Sequence, residues 1–136
     1  MSNKLYITTA INYPNGKPHI GHAYEKIVTD SYARWNRLLG KEVHFLTGTD
    51  ENGQKLLESA KDVGVDTLEF VNANVEVFKD LCTKANITNS DFIRTTEERH
   101  ANACIELWKN LEAKGLIYHG QYSGQYCLAC ESFYTE

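Results

Sequence analysis

Tyr13-Pro-Asn-Gly-Lys-Pro-His-Ile-Gly-His22 decides how the rest of the chain is read. It joins an apolar strand to an amphipathic helix and sets two imidazoles one turn apart at the helix entrance. A first helical turn has unpaired backbone N–H groups at the positive end of the macrodipole, which suits a phosphate. Pro14 and Pro18, the two prolines of the chain, stiffen the entry to the helix. Gly16 and Gly21 keep the backbone open to a closely approaching ligand. At spacing i, i+3, His19 and His22 point the same way, and both can donate to phosphate oxygens. A His-x-x-His pair is otherwise read as surface decoration or a structural pair; the strand before it and the helix after it raise this one above that reading.

On the N-terminal side, Lys4 to Asn12 is β-branched and aromatic with little polar alternation, the texture of a buried strand in a parallel sheet. On the other side, Ile20, Ala23, Tyr24, Ile27, Val28, Trp35 and Leu38 recur at helical spacing, and Gly40 supplies the stop. Glu42 to Asp50 reads as a second strand ending in a polar, glycine-containing turn. Together these form a βαβ unit with a right-handed crossover, so the fold class is α/β, a Rossmann-like doubly wound parallel sheet. In such sheets the ligand crevice lies beyond the carboxyl ends of the strands, which brings Ile11, Asn12 and Tyr13 to face residues 47–53. Asp50 stands there as an acceptor for a cationic group, with an N-cap on the following helix as its other reading.

Further helices are predicted over Gln54–Val63, ended by Gly64, and from the capping-box sequence Asp66-Thr-Leu-Glu69 to about Ala85. Cys82 falls near the end of that helix and Cys104 on the apolar side of the next, both as small buried hydrophobes. Asp91-Phe-Ile-Arg-Thr-Thr-Glu-Glu-Arg-His100 starts like a strand. It then offers Thr95-x-x-Glu98 as a second capping box for a helix running to Lys114, with charges that read as a solvated face. After Gly115 the aromatic alternation predicts short strands and a turn, with His119 in the first of them. Cys127-Leu-Ala-Cys130 has the spacing that lets two thiolates meet one tetrahedral zinc; half a zinc knuckle and two unligated thiols are both open readings.

The chain has 136 residues, 42% hydrophobic and 24% charged, enough for one ordinary domain with a core. A net charge of −4 excludes a dedicated nucleic-acid binder and leaves any polyanion to a local grip. No apolar run approaches membrane-spanning length, and four cysteines outside a secretory context read as thiols or metal ligands, so a cytoplasmic enzyme is expected.

Strand, Gly/Pro-rich turn and His19-Ile-Gly-His22 resemble the signature of the HIGH superfamily of class I aminoacyl-tRNA synthetases and small nucleotidylyltransferases. Adding Tyr6-Ile-Thr-Thr-Ala10, Phe45-Leu-Thr-Gly-Thr-Asp-Glu51, the Asp91 to His100 run and Tyr126-Cys-x-x-Cys130-Glu-x-Phe-Tyr-Thr-Glu136, the whole chain resembles the N-terminal portion of the methionyl-tRNA synthetase family. The resemblance implies residues 1–115 as the N-terminal half of the catalytic domain and 116–136 as the start of a connective insertion with a truncated zinc knuckle. It implies ATP with Mg2+, methionine and tRNA(Met) as partners, Zn2+ at Cys127 and Cys130 as a half site, and a chain that does not aminoacylate alone. By the same resemblance, Ile11, Tyr13 and Asp50 hold methionine. Asn15, Gly16, His19, Gly21 and His22 hold the nucleotide, with His19 and His22 catalytic as phosphate donors. Asn52 departs from the family pattern, where a histidine is common, and takes no role. A small nucleotidylyltransferase and a non-catalytic binding module are the alternatives from other classes.

Overall fold

A computed structural model describes residues 3–127 and 129–134. The end of the C-terminal motif, Thr135 and Glu136, lies outside the described residues. The chain divides into two compact units, 1–95 and 96–136.

In the first unit, β1 (Lys4–Asn12) leads through the histidine turn into α1 (Ile20–Leu38), and β2 (Glu42–Thr49) follows. Then come α2 (Gln54–Val63), α3 (Thr67–Lys84) and β3 (Asp91–Arg94). The strands form one parallel sheet in the order β1-β2-β3, with Asn12 opposite Thr49 and Thr49 opposite Arg94 at its carboxyl edge. The parallel α/β reading therefore holds, and the glycines read as helix stops, 40, 64 and 115, all take left-handed φ. Leu56, Val71 and Val75 form the apolar core with Phe70 and Phe92 against them, and Phe45 and Phe78 are also buried.

Two expectations about burial are corrected. β1 is an edge strand in the described sheet, with Tyr6 63% exposed, rather than a buried one. In α1 the apolar stripe faces outward, with Ile20 84% and Leu38 81% exposed, while Lys26, Asp30, Ala33 and Asn36 are buried. The polar stripe goes inward because its groups find partners there, which removes most of the cost of desolvating them.

Asp30 is the centre of that stripe. Its carboxylate accepts from the Thr88 backbone N–H at 2.7 Å, from the Thr88 hydroxyl and from Arg34 Nε, and Arg37 Nη2 donates to Thr88 O at 3.0 Å. Burial alone would raise the Asp30 pKa, but the Thr88 and Arg34 hydrogen bonds outweigh it and hold the carboxyl below its ordinary value. A depressed carboxylate pKa contributes stability that is complete above the unfolded value, about pH 4, and is lost as pH falls through the folded value. Asp30→Ala is expected to lower unfolding free energy by about 2–4 kcal/mol at neutral pH, with a smaller difference from wild type in strong acid. Denaturant unfolding at the two pH values checks this, and a pH-independent difference would count against it.

The second unit contains α4 (Glu98–Ala113) and a hairpin of β4 (Gln125–Cys127) with β5 (Ser132–Tyr134). Phe133 joins the hairpin to Tyr126 and Tyr122, its ring centroid 5.0 and 5.1 Å from theirs. Here three expectations fail. The N-cap of α4 is Glu97 with no side-chain cap bond, so Thr95 and Glu98 make no capping box. Thr95 is drawn away instead, its hydroxyl accepting the Glu51 N–H at 2.7 Å. Cys104 is exposed rather than buried, because α4 carries no buried residue among those described; its sulfur lies 3.7 Å from the His100 ring. Residues 116–124 form no strand, so His119 sits in irregular chain. No helix of the described residues is long and apolar enough to cross a membrane.

Candidate functional site

The site is built where β1 and β2 end. The Asp50 N–H donates to Asn12 O at 3.0 Å, tying the two strand ends together, and Lys55 of α2 lies over the Tyr13 ring at 5.9 Å. Ile11 is 39% exposed; Tyr13 and Asp50 are half-buried. Pro14 is fully buried and anchors the turn, while Asn15 is exposed and Gly16 has open space where a side chain would go. Asp50 does not cap α2, whose N-cap is Gly53 with no side-chain cap bond; the Asp50 Oδ1 accepts the Asn52 N–H at 3.2 Å. The Asp50 carboxylate therefore keeps acceptor capacity for a ligand.

At the start of α1, His19 is the N-cap residue. The Gly21 N–H donates to His19 Nδ1 at 3.1 Å, and the His19 N–H donates to His22 Nδ1 at 3.1 Å, a reciprocal cap made of two imidazoles. The rings stack with centroids 3.9 Å apart, and Phe78 meets His22 edge-on at 5.3 Å. An Nδ1 that accepts carries no proton, so each neutral ring has its proton on Nε2, free of the cap. His19 is exposed and His22 half-buried; neither lies in the hydrophobic interior. The expectation of unpaired N–H groups at this helix start needs correction. His19 Nδ1 takes the Gly21 donor, and His19 O takes those of His22 and Ala23 at 3.0 and 3.3 Å. Among the described residues that leaves the Ile20 N–H as the backbone donor of the first turn, beside the two Nε2–H groups. Gly21 is required because a Cβ there would stand 2.9 Å from His19 Cε1.

Sequence reading missed the braces behind the site. Glu51, its side chain fully buried, accepts from Arg94 at 2.7 and 3.0 Å and from the Thr49 hydroxyl at 2.7 Å, and Arg94 also donates to Asn72 at 2.6 Å. Arg94 is thus no part of a solvated face. Opposite charges at the ends of adjacent parallel strands were the available signal. Lys26, wholly buried, donates to Asn12 Oδ1 at 2.7 Å.

Cys127 and Cys130 flank the turn of the hairpin, and the Tyr134 hydroxyl donates to Cys130 Sγ at 3.3 Å. Hydrogen bonds from the Cys130 backbone and side chain pull the Cys127 thiol below its ordinary pKa. Among the described residues no group of three or more His, Cys, Asp or Glu side chains is placed to hold a metal ion. The described residues thus offer two thiols at this turn and no complete ligand set.

The family model for tRNA synthetases class I (M) matches residues 5–136. The chain belongs to that family. Among class I (M) synthetases, the methionine–tRNA ligase of Brucella suis biovar 1 (strain 1330) is 51% identical over 133 residues, 98% of this chain and 26% of that protein. The probable mitochondrial methionine–tRNA ligase of Dictyostelium discoideum is 47% identical over 133 residues, 98% of this chain and 23% of that protein. The chain spans about a quarter of the length of the curated relatives it matches. Mycobacterium tuberculosis methionyl-tRNA synthetase in complex with methionyl-adenylate superposes with a TM-score of 0.93 at 46% identity, covering 100% of this chain and 26% of that one. The leucyl enzyme of Agrobacterium radiobacter K84 gives 0.77 at 25% identity, covering 86% and 15%. This membership places the parallel sheet in the Rossmann-like catalytic domain of class I synthetases.

Proposed function

We propose that this chain supplies the substrate-activating front of a methionine–tRNA ligase. In the proposed reaction methionine carboxylate attacks the α-phosphate of ATP in line, pyrophosphate leaves, and the methionyl group passes from the adenylate to tRNA(Met). The observation that carries the reading is the imidazole cap at the carboxyl edge of the sheet, in a class I (M) synthetase chain whose Mycobacterium tuberculosis relative binds methionyl-adenylate.

Charge accumulates on phosphate oxygens in the first transition state, so placed donors and orientation dominate catalysis. His19 and His22 donate from Nε2. Ile11 and Tyr13 line the methionine pocket, and Asp50 accepts its ammonium. Asn15, Gly16 and Gly21 lie along the nucleotide. In this proposal residues 1–115 form the N-terminal half of the catalytic domain and 116–136 begin the insertion, where Cys127 and Cys130 hold half a structural zinc site. Mg2+ enters as the counter-ion of ATP. The enzyme works in the cytoplasm, the compartment that four free thiols suit, and tRNA(Met) is bound mainly by segments of the relatives that this chain does not span.

ATP–pyrophosphate exchange tests the proposal, run on the chain alone and on a version extended to the length of its relatives. Methionine is expected to drive exchange in the extended version, and leucine is not. Exchange with leucine alone, or none with either, would overturn it. Asp50→Ala is expected to raise the methionine concentration for half-maximal exchange far more than that of ATP, because one ion pair to the substrate ammonium is lost. Equal effects on both substrates would remove Asp50 from the ammonium site.

A further inference from the structure

The cap fixes the chemistry of the imidazole pair. With Nδ1 of His19 and of His22 both accepting backbone N–H groups, neither ring can become imidazolium without losing its cap bond. One turn further along the same stripe of α1, at i, i+4 from His22, Lys26 is wholly buried and donates to Asn12 Oδ1 at 2.7 Å. Packing alone would be better served by methionine, which fills the same length without desolvating an ammonium.

We propose that Lys26 is a positioning residue for the histidine pair: a cation held beneath His22 and tethered to the end of β1, it keeps the His22 ring in its neutral Nε2–H form and sets the first turns of α1 in register with Ile11 and Tyr13. This rests on the reading of His19 and His22 as phosphate donors. The surroundings agree. The His22 pKa is lowered first by burial and then by His19 and Lys26, with Glu25 opposing. Glu25 is itself engaged, its Oε1 accepting the Ala10 N–H at 2.9 Å. From α3 the neighbour of His22 is the uncharged Phe78 ring, and burial pushes the Cys82 thiol up, with Lys26 opposing. Burial also lowers the Lys26 pKa, opposed by Cys82 and Glu25.

The test is nitrogen NMR of the imidazole rings through a pH titration of the chain, in wild type, Lys26→Met and Lys26→Gln. Wild type is expected to show both rings as Nε2–H tautomers at neutral pH, with His22 titrating below the ordinary histidine range. Both variants are expected to move the His22 midpoint to higher pH; Lys26→Gln keeps a donor to Asn12 and so separates charge from tether. An Nδ1–H tautomer for His22 in wild type would overturn the proposal. So would a His22 midpoint unmoved in a folded variant; an unfolded Lys26→Met beside a folded Lys26→Gln with unmoved His22 would leave Lys26 a purely structural role. No ATP or methionine is used, so failure here is separate from failure of pyrophosphate exchange.

Discussion

His22→Ala in the extended protein is expected to slow methionine-dependent pyrophosphate exchange roughly 30- to 1,000-fold, equivalent to about 2–4 kcal/mol of transition-state stabilisation, and His19→Ala by a similar amount. In the proposed reaction each variant loses one Nε2–H donor to oxygens whose charge grows during attack. Each also loses one half of the reciprocal cap, and an N-cap is worth about 1 kcal/mol of helix stability. The two contributions separate in the double variant. If the rings act as one unit, the rate lost on removing both is less than the product of the single losses, while the stability loss stays near one cap. Unchanged exchange in both single variants, with the proteins folded, would remove the pair from the mechanism.

The second large effect is on folding. Gly48 lies in the middle strand, opposite Ile11 of β1 and Ile93 of β3. A Cβ there would stand 2.0 Å from Ile93 O and 2.6 Å from Ile93 Cγ2, so the obstacle is mostly backbone that cannot rotate away. Strands on both sides leave β2 no direction of retreat. Gly48→Ala is therefore expected to lower unfolding free energy by about 3–5 kcal/mol, above the usual range for an added methyl because strand pairing itself must open. Chemical denaturation followed by circular dichroism measures it; an unchanged midpoint would mean that β2 and β3 do not approach as closely as described. Because Asp50 follows two residues later, surviving protein should also need more methionine.

The parallel frame was legible in the sequence because local signals agree there. β1 and α2 fall on their expected residues, and α1 spans the apolar positions Ile20 to Leu38 that announced it. The contact of His19 with His22 was visible because both lie within one turn of the helix start. Features created by distant partners were not legible. The inward polar stripe of α1 depends on Asn12 and Thr88, and no periodicity announces that Lys26 and Asp30 will find acceptors and donors there. Cys104 was misread for the converse reason: Ile105 and Trp108 suggest an inner face, yet both stay more than half exposed. The brace of Glu51 and Arg94 likewise spans 43 residues of chain.

The Asp30 staple joins residues 58 apart, so the sheet it secures has high contact order. Closing so long a loop costs entropy before the carboxylate finds Thr88, and parallel pairing of this kind is intrinsically slow. During synthesis at about 5–20 residues per second, Asp30 would wait roughly 3–12 seconds for Thr88 to be made. In that interval Lys26 can already reach Asn12, whereas Asp30 and Arg37 wait without their Thr88 partner.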